Sequence, residues 1–227
     1  MPERIAFRTS DDVEIIGDWV TAPTTIGAVI LLHSFSTARQ SWAAFQRALA
    51  QRGLASLAID LRGHGESVRG EQGVALDYKK FAEEDHLASM EDVRGAYEWI
   101  RKRGIERSRI AVVGASIGAN MALRFLSEEP QMPAAGLLSP GLNFHGVETA
   151  DAADHVLPEQ GVWMAASAGD DQESFNAVIT LDPLLELTHK QIERLQGAGH
   201  GVKMFDADAA LMGKLADWLR DRVLGVE

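Results

Sequence analysis

The chain contains no cysteine, which excludes disulfides, a thiolate nucleophile and zinc–thiolate sites. It also has no HExxH motif and no histidine pair at ligand spacing, so no metal centre is expected and metal-dependent hydrolysis is disfavoured. Positive charge is scarce: 22 Lys and Arg stand against 33 Asp and Glu, a formal charge of -11. A surface of that sign is repelled by phosphate backbones and anionic lipid, so neither a nucleic-acid nor a membrane partner is expected. The acidity is accounted for by solubility. No apolar run is long enough to span a bilayer, and MPERIAFRTSDD at the N-terminus lacks the apolar core of a signal peptide; a cytoplasmic location is the expectation. No repeat, low-complexity tract or linker interrupts the 227 residues, which suit one domain over 1–227 with a sizeable core.

What is present alternates between two patterns. Ile5 to Val20 reads as two strands around the turn Ser10-Asp11-Asp12, antiparallel to one another. Ala28–Leu32, Leu54–Ile59, Ile110–Val113, Ala135–Leu138 and Val162–Ala166 are short continuous apolar runs, the mark of strands buried on both faces. Between them, Ser41–Gln51, His86–Arg103 and Ser116–Leu126 carry helical spacing, as does a last helix with Leu211, Leu215, Trp218 and Leu219 on one face. Strand–helix alternation predicts an α/β fold of three layers, its central sheet mostly parallel after an antiparallel N-terminal hairpin.

The chemistry-bearing motif is Gly114-Ala115-Ser116-Ile117-Gly118, a G-x-S-x-G with the strand-forming IAVV before it and the helix-forming ANMALRFL after it. A sharp strand-to-helix turn lifts the serine hydroxyl to a helix N-terminus, where free N–H groups favour developing negative charge. Serine is a weak nucleophile and needs a base, which needs an orienting carboxylate. Of the downstream histidines His145, His155, His189 and His200, the last sits in a small-residue loop, Gly197-Ala198-Gly199-His200-Gly201, before the final helix. The other three are read as solvated. For the acid, Asp170 and Asp171 both follow the Val162 strand at its carboxyl end; Asp170, directly after the small-residue turn, is preferred, and one of the two can reach the imidazole. An oxyanion needs two backbone donors: the N–H of Ile117, and one from His33-Ser34-Phe35-Ser36, for which Phe35 is chosen.

LLHSFS, AIDLRGHGES, GASIG, an aspartate after a strand, and GAGHG, taken together and in this order, resemble the α/β-hydrolase superfamily over nearly the whole chain. The resemblance implies a structural role for His33 and a loop-stabilising one for Asp60, Arg62 and His64. It supports Phe35 by position, although Ser34 stands where relatives commonly carry glycine. Ser67, close to a second such motif but not preceded by a strand, is discounted. Some twenty residues separate the Ala135 and Val162 strands, too few for the helical cap of many relatives. The expectation is therefore an open-sited, carboxylesterase-like serine hydrolase acting on a small-molecule ester without a cofactor. The contrasting expectation is a non-catalytic binding protein that keeps the fold as a receptor.

Overall fold

The computed structural model describes residues 2–185 and 189–226. In chain order its elements are strands β1 (Glu3–Arg8), β2 (Glu14–Val20) and β3 (Gly27–Leu32), helix α1 (Ala43–Ala50), β4 (Leu54–Ile59), α2 (Glu83–Ala88), α3 (Met90–Arg101) and β5 (Ile110–Ala115). There follow α4 (Ile117–Glu128), β6 (Ala134–Leu138), β7 (Asn143–Phe144), β8 (Val147–Glu148), α5 (Ala150–Asp154) and β9 (Gly161–Ala168). The chain closes with α6 (Gln172–Leu184), β10 (His189–Gln196), α7 (Met204–Ala207) and α8 (Ala209–Leu224).

Eight strands form one sheet in the order β1-β2-β4-β3-β5-β6-β9-β10. β2 runs antiparallel to both β1 and β4, and every later pairing is parallel. The expected architecture, an α/β sheet mostly parallel behind an antiparallel hairpin, is the one observed.

Every residue of β3, β4, β5 and β6 is buried, which is why their sequences are continuous rather than alternating. Their side chains feed two separate cores. Ala28, Ile30 and Leu32 of β3 face one core with Val93, Tyr97 and Ile100 of α3, Phe125 of α4 and Leu181 of α6. Val29 and Leu31 face the other, with Trp42, Phe45 and Leu49 around α1 and Leu211, Leu215 and Leu219 of α8. Three layers result.

Local departures have local causes. The predicted His86–Arg103 helix is two helices meeting at Ser89, where Ser89 N–H bonds back three residues to His86 O and tightens the turn. The interval between β6 and β9 holds the small β7–β8 hairpin and α5. Among the described residues, no helix is long and apolar enough to cross a membrane.

Candidate active site

All the loops that matter leave the carboxyl ends of parallel strands, where open α/β sheets form their crevices. Ser116 joins β5 to α4 with φ 56° and ψ -124°, a left-handed conformation that costs a non-glycine residue roughly 1–3 kcal/mol. The surroundings fix it: Ser116 N–H donates to Leu138 O of the next strand (2.9 Å), and Ser116 O receives Ala119 N–H and Asn120 N–H. The flanking glycines are sterically required. A Cβ on Gly114 would collide with the Gly118 carbonyl, and one on Gly118 would come within 2.5 Å of Leu32 O.

The His200 loop turns through three glycines at positive φ, Gly197, Gly199 and Gly201. It packs on the serine turn: a Cβ on Gly201 would sit 3.3 Å from Ala115 Cβ and 3.0 Å from Ser34 Oγ. His200 Nδ1 lies 2.9 Å from Asp171 Oδ2. Asp171 is nearly buried while the imidazole keeps 39% exposure, so the ring is held from behind and open in front. Burial works to raise the Asp171 carboxyl, but His200, with Ser139 and Ser174 beside it, outweighs that and holds the group below its ordinary range.

The expected Asp170 does not lie against His200; Asp171 does. The Asp170 carboxylate accepts Ser167 Oγ–H (2.7 Å) and Gly199 N–H (2.6 Å), stapling the β9 turn to the histidine loop. The chain turns at Gly169, φ 90°, and Asp171, at the N-cap of α6, is the one directed at the imidazole. Ser139 was not anticipated. At φ 53° it follows β6, donates its N–H to Ala165 O and accepts Gly201 N–H on its hydroxyl at 2.8 Å. Its place at the carboxyl end of a buried strand was the available signal.

The third loop, after β3, is held by two histidines. His33 Nε2 accepts Leu61 N–H at 3.0 Å, so its proton is on Nδ1, which donates to Ser34 O at 2.8 Å. Complete burial, with His64 beside it, pushes His33 down to about 4, and the ring is neutral at ordinary pH. His64 Nε2 lies 2.8 Å from Phe35 O and Nδ1 3.0 Å from Arg62 O. Among the described residues, the N–H groups of Phe35 and Ile117 donate to no protein acceptor, leaving both free to meet a ligand.

Beneath these loops lie two buried ion networks. Asp60 binds the Arg39 guanidinium and accepts Arg39 N–H and Glu66 N–H. Arg62 pairs with Asp92 (2.8 Å) and Asp11 (2.6 Å). Ser67 is fully buried and accepts Ile16 N–H at 2.8 Å, which gives it a structural task. His155 and His189 are exposed; His145 is exposed too, but its ring lies against Phe35.

The sheet order is that of an α/β-hydrolase fold, and the family match makes the chain a hydrolase of that type. Residues 23–158, more than half of the chain, match the family described as serine aminopeptidase, S33, and the chain belongs to that family. No curated protein matches the chain at a significant level. Among solved structures, the chain is similar to the Pyrococcus furiosus esterase Pf2001, with TM-score 0.79 and 17% identity over 98% of this chain and 91% of that one. It is also similar to the alpha/beta hydrolase GrgF from Penicillium sp. sh18, with TM-score 0.80 and 14% identity over 99% of each chain. The 2,6-dihydroxy-pseudo-oxynicotine hydrolase aligns with TM-score 0.76 and 18% identity, over 99% of this chain and 68% of that one. At these identities the likeness is one of fold.

Proposed function

We propose that the chain is a serine hydrolase that cleaves carboxylic esters through an acyl-enzyme, with Ser116, His200 and Asp171 as its triad. The observation that carries the reading is the pairing of a positive-φ Ser116 at the start of α4 with a His200–Asp171 contact on a loop packed against Ala115. A glycine-rich turn with an idle serine has no need of either the strained backbone or the buried carboxylate.

In this reading His200 Nε2 takes the Ser116 proton as Oγ attacks the ester carbonyl. Asp171, held ionised, fixes the Nδ1–H tautomer and stabilises the imidazolium. The oxyanion is received by the N–H groups of Ile117 and Phe35. Collapse expels the alcohol with the proton from His200, and a water deprotonated by the same ring then releases the acid. No step calls for a metal or organic cofactor. Ester rather than peptide cleavage is favoured by the esterase among the structural neighbours and by the small insertion between β6 and β9, which leaves room for modest substrates. The family's aminopeptidase description makes amide hydrolysis the natural comparison.

The test is a panel of p-nitrophenyl esters of rising chain length, run beside amino-acid p-nitroanilides, with wild type and Ser116→Ala. Ester turnover that collapses in the variant supports the reading. Turnover of the anilides alone would move the activity to peptides, and ester turnover surviving in purified Ser116→Ala would sink the proposal.

A further inference from the structure

We propose that His145, at the tip of the β7–β8 hairpin, is a positioning residue that clamps Phe35 and so holds the Phe35 N–H where the oxyanion forms; this rests on the serine-hydrolase reading above. The hairpin turns on His145 and Gly146, at φ 52° and 83°, a two-residue turn of the kind that matches strand twist. Asn143 Oδ1 accepts Gly146 N–H at 2.9 Å and closes it. Its base is fixed to the helix that carries Ser116: the fully buried Asn120 accepts Gly141 N–H (2.9 Å) and donates to Val147 O (2.7 Å). Thr149 Oγ1 completes the anchor by donating to Gly141 O at 2.8 Å.

From that base the tip reaches the opposite side of the crevice. The His145 ring lies face to face with the Phe35 ring, centroids 4.0 Å apart and planes within 12°. Tyr78 meets Phe35 edge-on at 5.1 Å, and His86 lies tilted against it at 5.5 Å. With Phe35 O held by His64 Nε2, the residue is located from its carbonyl and from three sides of its ring. Its N–H is left unpaired. Thr37 closes the loop by donating its N–H and Oγ1–H to Ser34 O, while Ser36 and Thr37 are exposed. His145 is itself exposed, and its ring, carried on left-handed backbone, stacks on Phe35 and lies tilted against His86 at 4.8 Å. Donor placement matters steeply, because an oxyanion donor acts only within hydrogen-bond reach of the developing charge.

His145→Ala and His145→Phe are compared with wild type on p-nitrophenyl acetate, an acyl group too small to need the hairpin as a wall. A second readout is the rate at which a small fluorophosphonate labels Ser116. His145→Ala should lower kcat about three- to tenfold, the size of one aromatic stack, with KM and melting temperature unchanged and labelling slowed alike. His145→Phe, which keeps the stacking face, should restore both. A His145→Ala protein equal to wild type in kcat and labelling would overturn the inference. So would a raised KM at unchanged kcat, or failure of His145→Phe to rescue. A wild type that is neither active nor labelled would instead bring down the hydrolase reading, and this inference with it.

Discussion

Asp170 and Asp171 carry the same carboxylate, one residue apart, and meet different partners. Asp170 spends its acceptors on Ser167 and the Gly199 N–H; Asp171 faces His200. Asp171→Asn should keep the fold and lose roughly a thousandfold in kcat, because the amide presents the wrong partner to Nδ1–H. Asp170→Asn should lose far less, and steady-state kinetics on one ester would rank the pair; the reverse ranking would restore Asp170 as the acid. His33 gives a second prediction at this scale. Folded, its proton leaves at about 4; unfolded, near 6.5. The unfolded chain therefore binds more protons between those values, and His33 withdraws stability as pH falls through that window, at most of order 3 kcal/mol. Thermal melts from pH 7 to 4 should show a shallower loss in His33→Gln than in wild type. Parallel curves would mean His33 is not buried neutral.

The elements differ in how plainly the chain announces them. The parallel strands were legible because AVILL, LASLAI and IAVV are apolar at every position, as burial on both faces demands. The serine turn was legible because Gly114 and Gly118 are each forced by close backbone approach. The β7–β8 hairpin was not, since two-residue strands carry no periodicity and its turn uses His145 rather than asparagine before glycine. The choice between the aspartates was hidden because the two carry the same side chain, and only the folded loops bring one of them against His200 and the other against Ser167 and Gly199. The buried Asn120 amide anchors the hairpin base beside Thr149, which yields a prediction. Asn120→Ala leaves Gly141 N–H and Val147 O unpaired in the interior, so it should cost about 2–4 kcal/mol in urea unfolding. A loss under half a kilocalorie would show that the hairpin is anchored elsewhere.

Across the whole molecule, the crevice is assembled from the carboxyl ends of β3, β5, β6, β9 and β10, and buried charge ties the surrounding pieces together. Arg62, just after β4, joins Asp92 on α3 to Asp11 in the β1–β2 turn. Arg62→Met would strand a fully buried carboxylate and should cost about 3–5 kcal/mol. Burial already pushes Asp92 up to about 6 against the pull of Arg62. Without that partner Asp92 takes up a proton more readily, so the variant's deficit should shrink as pH drops below neutral; a deficit independent of pH would contradict this account. The central claim concerns Ser116, and intact-protein mass spectrometry after treatment with a small fluorophosphonate tests it most directly. One adduct is predicted, mapping to Ser116, absent in Ser116→Ala and strongly slowed in His200→Ala. No adduct, or one that persists in Ser116→Ala, would contradict the assignment of this chain as a serine hydrolase acting through that residue.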